Sequence, residues 1–180
     1  RKGDFPFPLV ANGRLTQTML PLAIPCGFWR APRSNAHAFA VQSFLHELSL
    51  VAERDHVEFL LDLIGEPRSL ETGTDFSLNT GRAAGVIQLA ATESGWGRSL
   101  PAGHGLGLAF HFSHGGYFAE AAEVSVDQDK RLTVHQVTVV GDVGPIVNLS
   151  GAESQCQGAV IDGLSTMLGL EITMENGRVQ

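Results

Sequence analysis

The segment Gly27-Phe28-Trp29-Arg30-Ala31-Pro32 sets an arginine between a tryptophan and a proline-bearing turn, one step ahead of an apolar stretch. A disposable surface loop would be more polar and would not put two aromatic rings beside a charge. Proline fixes its own backbone angle, so the turn is stiff. A guanidinium presented this way suits an anion partly shielded from water, where the charge counts for most.

Other chemistry-bearing residues form no self-contained active site. Serine, histidine and aspartate are all present, but no Gly-x-Ser-x-Gly elbow presents a nucleophile. His46 and Glu47 read as a solvated helix face, and Glu120 and Glu123 fall on opposite faces of a strand, so they cannot act as a carboxylate pair. His111 and His114 are the one close histidine pair, too little for a zinc site. Gly115-Gly116 breaks a strand just before Tyr117, which reads as a bulge or turn and can also open room for a ligand. The segment opening at Ser150 carries Ser154 and Gln155 in its first turn, where a helix N-terminus favours anions.

These residues need elements to hold them. Pro6, Pro8, Pro21 and Pro25 make the first thirty residues extended and irregular, suited to wrapping something else. A first helix is predicted from an N-cap at Ser34, burying Val41, Phe44, Leu45, Leu48 and Ala52 and exposing Gln42, His46, Ser49 and Glu53. A second starts at Asp55 with Glu58 in capping-box position, buries Val57, Leu60, Leu61 and Ile64, and ends at Gly65 and Pro67. A third runs from about Asn79 to Glu93 on Ala83, Val86, Ile87 and Ala90, and stops at Gly95.

The period then changes from helix to strand. Leu106, Leu108, Phe110 and Phe112 alternate with small residues and His111, and two further strands span Tyr117–Val126 and Leu132–Val140 around the charged turn Asp127–Arg131. A last helix, with a capping box at Ser150 and Glu153, is predicted to bury Cys156, Val160, Leu164 and Met167 and to end near Gly169; close packing is expected at Gly158 and Gly163. Glu171–Glu175 followed by Asn176-Gly177 opens a tight hairpin. Its return strand is only Arg178-Val179-Gln180, so residues 1–180 read as one partial module, a fragment of a longer protein. Helices, then a meander, then a further packing helix make the fold class α+β.

Composition removes several function classes. The chain is 43% hydrophobic and 17% charged, which excludes disorder. A net charge of -7 without any basic run excludes wholesale nucleic-acid binding. No apolar segment is long enough to span a membrane. Cys26 and Cys156 form no Cys-x-x-Cys pair and read as buried free thiols, with a disulfide as the alternative.

Three blocks, in order, cover nearly the whole chain: Gly27-Phe-Trp-Arg-Ala-Pro with Ala38-Phe-Ala-Val-Gln-Ser-Phe-Leu-His-Glu-Leu48; Ala122-Glu-Val-Ser-Val with Asp142-Val-Gly and Val147-Asn148; and Gln155-Cys-Gln-Gly-Ala-Val-Ile-Asp-Gly-Leu-Ser165 with Glu171-Ile-Thr-Met-Glu-Asn-Gly-Arg178. On these blocks the chain resembles the molybdenum-binding large subunit of the xanthine oxidase/aldehyde oxidoreductase family, nearest the isoquinoline 1-oxidoreductase beta subunit. The resemblance implies oxidation of an aldehyde or N-heterocycle with water-derived oxygen at a molybdenum–pterin dinucleotide, with electrons leaving through an iron–sulfur subunit or domain. It implies cofactor contacts from Arg30 and Gln155, and a substrate pocket lined by Pro32, Gly115 and Gly116.

The family's catalytic glutamate and its Gly-Gly-x-Phe-Gly loop have no match here, so no catalytic residue is expected from these 180 residues, and the fragment is expected to be inactive and to bind no molybdenum itself. Arg33, Gln42, His46 and Leu149 depart from the family pattern. The expected partners are the iron–sulfur component, the rest of the same subunit and a small-molecule substrate. The bacterial periplasm is the compartment the resemblance favours. The competing expectation is a non-catalytic binding or assembly module that uses the extended N-terminal segment and its Phe/Trp surface for subunit contact.

Overall fold

The computed structural model describes residues 4–21, 26–72 and 75–180. It divides into two units, one running to Val143 and one from Gly144 to Gln180. In the first, helices α1 (Ser34–Val51) and α2 (His56–Ile64) precede a two-residue pair of strands, β1 (Ser69–Leu70) and β2 (Leu78–Asn79). Helix α3 (Thr80–Ser94) follows, then a three-stranded antiparallel meander of β3 (His104–Ser113), β4 (Gly116–Val126) and β5 (Leu132–Asp142) in the order β3-β4-β5. The second unit holds α4 (Leu149–Gly169) and a small hairpin of β6 (Met174–Glu175) and β7 (Arg178–Val179). The α+β class expected from the alternation of periods is the class observed.

Local physics explains most element boundaries. The Asp55 carboxylate accepts from the Glu58 N–H, and the Asn79 side chain does the same for Arg82, so each quiets a donor with no partner inside its helix. Gly95 closes α3 in the left-handed region at φ 67°. Asn176 and Gly177 both take positive φ, as a two-residue turn between twisted strands requires.

The core lies between the sheet and the helices α2 and α3. Register places Phe110 opposite Ala119 and Leu108 opposite Ala121, and all four are buried. The two alanines of β4 leave room for α3, which presents Ala83, Ile87 and Ala90 with no exposure at all. Leu60, Ile64 and Ile87 are fully buried, each contributing roughly 1.5–3 kcal/mol of transfer free energy.

Five expectations are corrected. Helix α1 buries Gln42, Leu45 and Ser49, with Val41 half-buried, while Phe44 and Leu48 face solvent and Ala52 is exposed. The reason is that α1 lies against β3, an edge strand whose outward backbone groups need partners. The Gln42 Oε1 accepts from the Phe110 N–H at 3.1 Å, and from α2 the His56 Nε2 donates to the Leu108 carbonyl at 3.0 Å. Only polar side chains can do this.

Ser34 is not an N-cap either. It is the first residue of α1, and its hydroxyl lies 3.1 Å from that of Ser113 on β3. In α4 the cap is Asn148, whose side chain accepts from the Gly151 N–H and from the Ser150 hydroxyl, in place of the Ser150/Glu153 box. No residue of α4 is buried: Cys156, Val160 and Leu164 are half-buried, Met167 is exposed, and a Cβ at Gly158 or Gly163 would meet nothing within 4 Å. Neither cysteine forms a disulfide, but the thiols are not buried as expected: Cys26 is exposed and Cys156 only half-buried.

The two caps lead to a measurable contrast. Asp55→Ala removes the acceptor for Glu58 and the 2.8 Å bond from the Trp96 indole, and is expected to cost about 1–2 kcal/mol in urea unfolding. Ser34→Ala removes no cap and should cost about 0.5 kcal/mol or less. Equal losses in the two variants would contradict these assignments.

Candidate functional site

The tip of the β3–β4 hairpin is the meeting point of the predicted pocket residues. His114 and Gly115 form its turn, with φ of 53° and 79°, between the paired residues Ser113 and Gly116. The glycine break is therefore a hairpin turn. Positive φ in a histidine is uncommon and usually has a local reason. Here the Ser113 hydroxyl sits 2.7 Å from His114 Nδ1 and 3.1 Å from the Ser34 hydroxyl, forming a chain of three polar groups from α1 to the turn.

Two clefts adjoin at this ridge. The first, about 460 Å³, lies between the start of α1 and the end of β3. Phe5, Phe76 and Phe112 supply apolar wall, Pro32 lines it from the α1 side, and His37 and His111 supply imidazoles. Burial pushes the His111 pKa below the usual histidine value, so it faces the cleft as a neutral donor and acceptor at pH 7. Arg33 also lines the cleft, held by the Asp4 carboxylate at 2.7 Å. The second cleft, about 550 Å³, is lined by Gly115 and Gly116 together with Arg82, Tyr117 and Phe118. Asp75, Phe76, Ser113 and His114 belong to both.

Pro32 and the Gly115-Gly116 turn, distant in sequence, therefore line neighbouring clefts. Arg30 lines neither. It is exposed, in the turn before α1, where the Asn35 side chain donates to its carbonyl at 3.3 Å and the next residue, Ala31, takes φ 52°. Phe28 and Trp29 are 96% and 54% exposed, so they do not shield the charge within this chain. Gln155 is exposed in the first two turns of α4, in the other unit.

Sequence reading missed His37 and Thr72, which line the first cleft, and Arg82, which lines the second and whose Nε donates to Asp142 at 2.7 Å. Nothing in sequence spacing brings Arg82 and Asp142 together, because 60 residues separate them.

Residues 45–180 match the molybdopterin cofactor-binding domain family. The chain belongs to that family. A relative of this molybdopterin domain is the membrane-bound aldehyde dehydrogenase [pyrroloquinoline-quinone] of Gluconacetobacter polyoxogenes, 28% identical over 182 residues that cover 97% of this chain and 23% of that protein. The chain thus spans less than a quarter of that relative's length. No solved structure matches. Among the described residues no helix is long and apolar enough to cross a membrane.

The residues at hand fit a molybdenum–pterin group in one respect and not another. Arg30 and Gln155 are exposed donors of the kind that anionic and carbonyl oxygens accept from. Among the described residues no group of three His, Cys, Asp or Glu could hold a metal ion.

Proposed function

We propose that this molybdopterin domain is the cofactor-facing part of a molybdenum hydroxylase large subunit, akin to the xanthine oxidase family and nearest the isoquinoline 1-oxidoreductase beta subunit, which oxidises an aldehyde or N-heterocycle with water-derived oxygen. The observation that carries the reading is the convergence of Pro32 with Gly115 and Gly116 on adjoining clefts, across a direct Ser34–Ser113 contact. The aldehyde dehydrogenase activity named for the relative points the same way.

When bound, the cofactor supplies the redox chemistry and the oxygen to be transferred. Arg30 supplies a fixed positive charge to its anionic side and Gln155 an amide donor and acceptor. Pro32, Gly115 and Gly116 wall the substrate pocket, the glycines by leaving space. The base comes from elsewhere in the large subunit, which also excludes water from Arg30. Electrons leave to an iron–sulfur subunit or domain, and the enzyme works in the bacterial periplasm.

In the full-length enzyme, Arg30→Ala is expected to lower kcat by about tenfold to a hundredfold, ~1.4–2.7 kcal/mol of transition-state stabilisation, with little change in Tm because the side chain is exposed. Elemental analysis separates loss of cofactor from loss of turnover. Unchanged kcat in molybdenum-replete Arg30→Ala would remove Arg30 from the site. The exposed Phe28 and Trp29 favour a second reading, a non-catalytic module that docks a partner subunit through these rings. In that case Phe28→Ser with Trp29→Ser abolishes subunit association while Arg30→Ala changes nothing.

A further inference from the structure

The meander has two edges, and the helices serve only one of them. At β3, the Gln42 and His56 side chains bond the outward Phe110 N–H and Leu108 carbonyl. The opposite edge is β5. Which of its backbone groups face outward follows from the register. Because Phe110 and Leu108 turn away from β4, their partners Ala119 and Ala121 turn toward β5 and bond Val140 and Thr138. Val137 and Val139 therefore point their N–H and carbonyl groups away from β4, and no backbone group among the described residues bonds them there.

A bare edge recruits strands, and folded proteins guard it with charge, proline or a bulge. The β4–β5 ladder shifts register between Glu123 and Val124, which disrupts the edge around His135. Beyond that point Gln136-Val-Thr-Val-Val-Gly141 has no charged residue and no proline, and its valines and threonine favour extended chain. Val137 to Val140 are all half-buried, and Val140 packs against the core. This stretch is built as an interior strand and lacks a neighbour on one side.

We propose that residues 136–141 pair with an extended, uncharged strand from another part of the same large subunit, which sets an apolar side chain beside Val140 and makes β5 an interior strand. The inference rests on the function proposed above for the existence of that larger subunit. The chain spans 23% of the relative's length, so such a subunit has ample further polypeptide to supply the strand. A strand tethered in the same polypeptide meets the edge at about millimolar effective concentration. A second copy must instead be gathered from solution and brings a further net charge of -7.

Amide hydrogen exchange in the full-length protein tests this. Thr138 and Val140 are bonded to β4 and serve as internal standards of protection. Val137 and Val139 are expected to exchange at least about a hundredfold more slowly than unstructured amides, both together. In the 180-residue chain they should exchange fast while Thr138 and Val140 stay protected. Val139→Pro removes a donor that β4 does not use, so it should lower the Tm of the full-length protein more than that of the 180-residue chain. The proposal is overturned if Val137 and Val139 exchange fast in the full-length protein. Protection of only one of them also overturns it, because a single side chain of the kind that Gln42 provides at β3 would do that. So does protection that rises with protein concentration, which marks a second copy, or equal protection in the 180-residue chain. No turnover enters these measurements, so they can fail while the Arg30→Ala result stands, and the reverse.

Discussion

Tyr117→Ala is expected to remove about 3–5 kcal/mol of stability, the largest loss from any single substitution considered for this fold. Tyr117 is 1% exposed and touches Phe112, ring to ring at 4.8 Å, so its removal opens a cavity that neighbouring strands cannot collapse into. Its hydroxyl also joins β4 to the start of α3 through the Asn79 N–H and the Ser77 carbonyl, and its ring supports Arg82. Tyr117→Phe separates these contributions. It keeps the ring and leaves the Asn79 N–H without its acceptor, which should cost about 1–3 kcal/mol. Urea unfolding of both variants, with the same m-value as the parent, provides the comparison. A loss below about 1 kcal/mol for Tyr117→Ala would mean that α3 is not anchored to the sheet through this residue.

His56→Ala comes next, at about 3 kcal/mol, because it strands the Leu108 carbonyl on an edge strand and leaves a hole beneath α1. His56 is 5% exposed, with Nε2 donating to Leu108 and Nδ1 at 3.2 Å from the Ser49 hydroxyl. Burial lowers its pKa from the ordinary 6.5, and His46, with its ring centroid 4.8 Å away, adds to the effect, against the Leu108 bond and Asp55 that oppose it. The folded protein therefore takes up this proton less readily than the unfolded chain. Stability from His56 is fully present above pH 6.5 and is lost as the pH falls below it. His111 is lowered by burial too and contributes with the same sign. Urea midpoints measured from pH 8 down to pH 5 should therefore fall, and His56→Gln, which keeps a neutral donor to Leu108, should flatten that fall without abolishing it. An unchanged pH profile in His56→Gln would show that the imidazole does not carry the effect.

How much of this was legible beforehand differs from element to element. The cap at Asp55, the start of α3 near Asn79, the stop at Gly95, the Asn176-Gly177 turn and the alternation of Leu106 to Phe112 all follow from interactions within a few residues, and the structure contains each of them. The family assignment likewise agrees with motifs readable in the chain.

The orientation of α1 was not legible. Hydrophobic spacing favours Phe44 and Leu48 as the inner face, and the structure turns Gln42 and Ser49 inward. Apolar pattern reports the cost of exposing side chains; it contains nothing about which backbone groups of a distant strand are left bare, and at β3 those groups decide the packing. The clefts have the same origin. Ser34 and Ser113 stand 79 residues apart, and Arg82 and Asp142 60 apart, so their contacts exist only once the meander and helices have assembled. What the sequence by itself determined is the set of elements, through local hydrogen bonding and periodicity. Which polar groups meet, and where a ligand finds room, was decided by tertiary structure, because an edge strand takes its partners from wherever in the chain they can reach it.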